Sequence, residues 1–261
     1  MDQRYFVKLS YDGTGFHGWQ RQPNAITVQQ TLEEAMSLIL RQPVRLTGAG
    51  RTDTGVHAAV FYAHFDLDLE PDQPMLSRLV YKLNSFLGPG IAIDRIFPVS
   101  PPAHSRFSAV SRTYRYTITR KKDPFMRNYS WFVFGSLDVD LMNQGARFLM
   151  QYGDYTSFSK VDTDTKTNIC RISHAHWESE GNVLVFTITA DRFLRNMVRS
   201  VVGTLLELGK KRITTDDLVR IIELKDRRAA GESAPAQGLM LTGIEYPDWI
   251  FRLDSVCETV S

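Results

Sequence analysis

Gly48-Ala49-Gly50-Arg51-Thr52-Asp53-Thr54-Gly55-Val56-His57 carries three glycines within eight residues, the mark of a backbone that turns sharply or lies close against something else. A strand-like run, Val44-Arg45-Leu46-Thr47, leads in, and a longer one, Ala58 to Leu67, leads out. The loop is thus slung between rigid strands. It holds one carboxylate, Asp53, next but one to Arg51 and flanked by threonines. A neighbouring cation holds and aims a carboxylate, which suits a nucleophile or a general base. The plainer reading is an Asx-turn in which Asp53 bonds its own backbone.

Outward toward the N-terminus, Arg4 to Tyr11 alternates and predicts a strand with Tyr5, Val7, Leu9 and Tyr11 on one face. Residues 12–23 follow as a loop rich in glycine and aromatic residues. Trp19 and Arg21 there offer what a single-stranded nucleic acid needs, a flat ring and a charge; the alternative is an apolar loop packed on the sheet. Thr27 is placed as an N-cap, with Gln30 closing a capping box. Val28, Leu32, Ala35, Met36 and Ile39 then predict a helix lying on the sheet. Downstream of the loop, Met75, Leu79, Val80, Leu83 and Phe86 predict a second helix, and Ile91 to Pro98 a further strand. The order is β-α-β-β-α-β, a split βαβ arrangement. Ser100-Pro101-Pro102 reads as a linker, dividing the chain into 1–103 and 104–261.

The second part repeats the plan. Arg112 to Ile118 predicts a strand with Tyr114, Tyr116 and Ile118 on one face, where a tyrosine is ordinarily core. Trp131–Phe134 is expected as an edge strand, 138–151 as a helix, and 168–178 and 183–190 as strands. A long helix is expected over 193–208, stopped by Gly209, then a short one over 216–224 and a last strand over 239–246. On the long helix Phe193, Met197 and Val201 form a buried stripe, while Arg195 and Arg199, four apart, form a cationic ridge or simply a solvated face. The fold class is therefore α+β, two tandem ferredoxin-like units whose sheets, set edge to edge, make one extended, mostly antiparallel sheet with a central cleft.

Gly50-Arg51-Thr52-Asp53-Thr54-Gly55-Val56-His57-Ala58 resembles the signature segment of the TruA family of tRNA pseudouridine synthases. The likeness continues in Tyr11-Asp12-Gly13 with Gly18-Trp19-Gln20-Arg21-Gln22, in Arg112-Thr113-Tyr114-Arg115-Tyr116, in Phe193 to Gly203 and in Ala234 to Leu239. Tyr155 stands where the family usually has Phe. The resemblance implies that Asp53 is catalytic, that Tyr114 stacks on the target base, and that Arg199 pairs with Asp53. Arg51 then orients a phosphate or the base, although the two arginines can exchange roles. It also implies uridines of the tRNA anticodon stem-loop as substrate and a homodimer as the working form. The reaction involves no redox change or group transfer, so neither cofactor nor metal is expected.

Gross composition agrees with a soluble protein: 43% hydrophobic and 23% charged residues, with no apolar run long enough for a membrane span and no signal-peptide core after Met1. Cys170 and Cys257 alone suggest a reducing, cytoplasmic setting without disulfides or zinc. The formal net charge of +2 does not announce nucleic-acid binding. An RNA surface must come from local clusters such as Arg120-Lys121-Lys122, Lys210-Lys211-Arg212 and Arg227-Arg228. Two other readings stand beside the enzyme. A silent RNA-binding module would carry an RNP1-like string, and a nucleotide-phosphate loop would carry Gly-Lys-Ser/Thr; neither is present.

Overall fold

The computed structural model describes residues 3–68, 71–100, 102–160 and 167–251. Pro101 of the expected linker and Cys257 lie outside them. The chain forms two compact units, one running to Val110 and resuming at Leu241, the other spanning Ser111–Met240.

In the first unit the elements are β1 (Gln3–Tyr11), α1 (Val28–Leu40), β2 (Thr47–Gly48), β3 (His57–Leu67), α2 (Gln73–Phe86) and β4 (Ile91–Pro98). Strand order is β4-β1-β3, antiparallel throughout, with β2 on the far edge of β3. This is the split βαβ plan. Tyr5, Val7, Leu9 and Tyr11 are buried on one face of β1 as expected, but Phe6 on the other face is buried too. It is covered by the end of the chain: Tyr246 and Ile250 pack with Phe6, Tyr62 and Phe97. The last strand, β9 (Leu239–Glu245), joins β3 in the sheet order, and Val110 N–H donates to Glu245 O at 2.8 Å. Hence the first unit extends past 103 and reclaims residues from 241 onward, unlike the 1–103 and 104–261 division expected.

Three local expectations change here. Thr27 caps α1 by accepting from Gln30 N–H, but the Gln30 side chain donates forward to Glu34 rather than closing a box. The run 44–47 forms no strand before Thr47, because its amides are taken by a helix: Val44 N–H donates to Ser37 Oγ and Leu46 N–H to Glu33 Oε1, both at 2.9 Å. On α2 the buried stripe is Leu76, Leu79 and Leu83, whereas Met75 and Phe86 are exposed. An asparagine ties α2 to edge strand β4: Asn84 donates to Ile93 O and accepts from Ile93 N–H, both at 2.8 Å.

The second unit contains β5 (Ser111–Thr119), β6 (Trp131–Phe132), α3 (Val139–Leu149), β7 (Ile172–Glu180), β8 (Val183–Ala190), α4 (Met197–Gly209) and α5 (Thr215–Leu224). Strands β5-β8-β7 are antiparallel neighbours, and β6 adds two residues in parallel to β5. Asn143 of α3 repeats the asparagine device on β7, bonding both backbone groups of Trp177 at 2.8 and 3.0 Å. Such side chains occupy strand groups that would otherwise be open. Helices α3 and α4 approach closely at glycines. A Cβ on Gly145 would fall 2.5 Å from Leu208 Cδ2, and one on Gly209 2.4 Å from Met142 Sδ. Gly209 therefore closes α4 for packing, and the left-handed residue beyond the helix is Lys211.

Candidate active site

The Asp53 loop is held by the chain segment that precedes α1. Trp19 N–H donates to Thr52 O at 3.3 Å and Gly55 N–H to Phe16 O at 3.3 Å, while Tyr11 Oη and Thr52 Oγ1 share a hydrogen at 2.9 Å. Gly13 N–H donates to His57 Nδ1 at 3.0 Å. Asp12 Oδ1 also lies 3.0 Å from that nitrogen, a contact that is an ion pair only when the imidazole carries a second proton. Glycine at 13 and 18 permits this closeness: a Cβ there would sit 2.2 Å from Val56 O or 2.3 Å from Thr52 O.

Asp53 to Val56 is a turn closed by the main chain, Val56 N–H to Asp53 O at 3.1 Å. Gly55, at φ +79°, takes the left-handed position that such a turn reserves for glycine. Along the loop Arg51 is exposed, Thr52 buried and Asp53 half-buried, so the carboxylate stands on a fixed backbone beside an outward-pointing guanidinium.

Trp19 is not an RNA-facing ring. It is 2% exposed, its ring lies 4.2 Å from Phe61, and it covers Gly48, where a Cβ would fall 2.3 Å from Nε1. Burial of so large a side chain against the sheet outweighs any exposed role. Arg21 lies 3.3 Å from the buried carboxylate of Glu33. Glu33 is a residue the sequence did not single out: a carboxylate in an apolar stripe gave no hint that it would accept from Leu46 N–H, Gln29 and Arg21 together.

In the second unit, Tyr114 pairs with Ile188 across β5 and β8 and is half-buried, its ring edge-on to Phe193 at 5.1 Å and 90°. Tyr116 is buried and donates from Oη to Pro235 O at 2.8 Å. Burial pushes its phenol above the ordinary tyrosine range, opposed by the Arg199 charge. Arg199, on α4, donates from Nε to Ala234 O at 2.7 Å, and its own carbonyl accepts Ala234 N–H at 2.9 Å. The 231–238 segment can lie this close because Gly203 has no side chain: a Cβ there would collide with Glu232 O at 1.8 Å. Gly238 in turn rests against the Tyr116 ring. So the structure brings Tyr116, Arg199 and Ala234–Gly238 together, and places Phe193 against Tyr114.

The expected cationic ridge does not form. Helix α4 starts at Met197, since Asn196 stands at φ +64° and cannot continue a right-handed helix. Arg195 lies before it on an exposed turn, its carbonyl accepting Lys160 N–H, and Phe193 leaves the helical stripe. Among the expected basic clusters, Lys210 lies 3.2 Å from Glu207, Lys211 3.0 Å from Asp138, and Arg212 3.1 Å from Glu207. Arg227 donates to Gly231 O and to the Ser233 hydroxyl. Their positive charge is thus partly met within the unit. Tyr155, buried, spends its hydroxyl on Leu149 O and Tyr152 O at the end of α3.

A tRNA pseudouridine synthase family profile matches residues 152–247. Beyond that stretch, the chain is 52% identical over 262 residues to tRNA pseudouridine synthase A of Bacteroides thetaiotaomicron, covering 99% of this chain and 96% of that protein. The chain belongs to the tRNA pseudouridine synthase A family. Relatives of the same name in Parabacteroides distasonis and Geobacter sulfurreducens are 51% and 37% identical, covering 97% and 91% of this chain and 99% and 97% of their own lengths. Gly13, Gly18, Gly48, Gly203 and Gly238 each mark a place where backbone meets backbone or ring. Among the described residues no group of three His, Cys, Asp or Glu is placed to hold a metal ion, and no helix is long and apolar enough to cross a membrane.

Proposed function

We propose that the chain isomerises uridine to pseudouridine in tRNA, with Asp53 as its catalytic carboxylate. The observation that carries this reading is the uninterrupted Gly50–Ala58 string, in a chain related over nearly its full length to proteins named tRNA pseudouridine synthase A. In the reaction the N1–C1′ bond breaks, the uracil turns, and C5 bonds to C1′. C5 gives up its proton and N1 gains one, so atoms and electrons balance within the substrate. Asp53 starts this as a nucleophile toward C6 or C1′, or as the base that takes the C2′ proton. A target base leaves its stack at a cost of a few kcal/mol, and the Tyr114 ring offsets part of that by stacking. Arg199 is the partner of the carboxylate, its fork suited to two oxygens, and Arg51 steers the RNA. The substrate uridines are those of the anticodon stem-loop, gripped by a cytoplasmic homodimer.

The test is tritium release from C5-tritiated uridine in tRNA by intact protein and by Asp53→Asn. Release by the former alone is the expected result. Equal release by both removes Asp53 from its role, and binding of tRNA with no release by either marks a silent RNA-binding module.

A further inference from the structure

Residues 103–108, which lead from β4 toward β5, are fastened to the strand that enters the Asp53 loop. Ser105 Oγ donates to Thr47 O at 2.6 Å, and Ser105 N–H to His64 Nδ1 at 3.2 Å. Tyr246 Oη donates to Ser105 O, and Arg4 Nη1 to Ala103 O. The turn itself is built on His104: Nδ1 accepts from the amides of Arg106 and Phe107 at 3.1 and 3.3 Å, Ser108 N–H donates to His104 O, and His104 N–H to Ser108 Oγ.

This framework holds Phe107 with 75% of its surface in solvent. A lone exposed phenylalanine is ordinary. This one is the outer member of a ring series, His64 to His104 at 4.6 Å and His104 to Phe107 at 4.3 Å. The Arg106 guanidinium lies 5.4 Å from the Phe107 ring centre. A fixed ring with a cation beside it is the arrangement that takes an unstacked base and its phosphate. Trp19, which the sequence put forward for that task, is buried.

We propose that Phe107, with Arg106 beside it, seats an unpaired base of the tRNA next to the uridine that is isomerised. The assignment of that neighbour rests on the isomerase reading; the seat itself rests on the loop. Phe107 is a substrate-binding residue, not a catalytic one, so its loss raises KM while leaving kcat close to that of the intact protein.

The experiment uses full-length protein and tRNA, with Phe107→Ala, Phe107→Leu, Phe107→Trp and Arg106→Ala. Phe107→Ala and Phe107→Leu are expected to weaken tRNA binding roughly 5- to 100-fold, as for loss of one stacked base. Phe107→Trp retains it. Arg106→Ala weakens binding and reduces the salt slope by about 1. A tRNA with 2-aminopurine beside the target uridine is quenched by intact protein and not by Phe107→Leu. Phe107→Leu binding as tightly as intact protein overturns the proposal. So does a changed oligomeric state in Phe107→Ala at unchanged tRNA affinity, which assigns the ring to a protein contact. Tritium release is followed in parallel: tRNA binding that needs Phe107 without release by intact protein leaves the seat standing and sinks the isomerase reading.

Discussion

His64 packs against Phe6 at 6.1 Å and is only 6% exposed. Burial, aided by the charge of Arg4, pushes its imidazole down to about 4. The unfolded chain, with an ordinary histidine, binds that proton more readily, so stability is full above about pH 6.5 and falls as pH drops toward 4. The loss is on the order of 1–3 kcal/mol. Urea midpoints across this window should slope for the intact protein and slope less for His64→Gln. At Tyr114, the proposed stacking role implies that removing only the hydroxyl matters little: Tyr114→Phe should keep most tRNA affinity, whereas Tyr114→Ala should lose roughly 1–3 kcal/mol. A filter-binding titration that separates neither variant from the intact protein would remove the stacking role. The constrained loop that carries Asp53 was legible in the sequence, because glycines at fixed offsets advertise such a backbone. Trp19 was not, since composition alone does not tell a ring facing solvent from one lying under Phe61 and over Gly48.

Helix α4 shows what periodicity reveals and what it hides. Phe193, Met197 and Val201 match a four-residue spacing, yet only the last two are helical, because Asn196 adopts a left-handed backbone. Its side chain donates to Ser233 Oγ at 2.5 Å, which compensates part of the conformational cost. Asn196→Val should cost about 2 kcal/mol or more, combining that lost bond with the strain of a branched residue at positive φ; Asn196→Gly should cost less. Chemical denaturation of the two variants checks the ranking, and a reversed order would refute the account of the helix start. The strand expected at 44–47 failed for a related reason. Val44 and Leu46 are buried as the pattern required, but the groups that receive their amides sit on α1 at Glu33 and Ser37, far enough along the chain that no local pattern announces them. Elements with a regular alternation of their own, such as β1, β3 and β8, were readable almost to the residue.

At the scale of the whole molecule, the order of elements in both units was legible, and so was the extra helix α5. The partition of the chain was not. Paired prolines near 101 looked like a boundary, but the apolar face of β1 that carries Phe6 needs a cover, and the cover comes from residues beyond 240. Tyr246→Phe removes the hydroxyl that donates to Ser105 O while keeping the ring against Phe6 and Tyr62. It should destabilise by about 1 kcal/mol, read as a shifted urea midpoint; Tyr246→Ala should cost about 3–5 kcal/mol. Equal midpoints for all three proteins would show that this cover contributes nothing.

That late cover also orders events in time. A ribosome delivers Phe6, Tyr62 and Phe97 early, then must translate all of Ser111–Met240, on the order of 10 s of synthesis, before Tyr246 and Ile250 exist to shield them. The nascent N-terminal half therefore waits with an oily flank open, and a stalled or prematurely ended message leaves a sticky product rather than a smaller working domain.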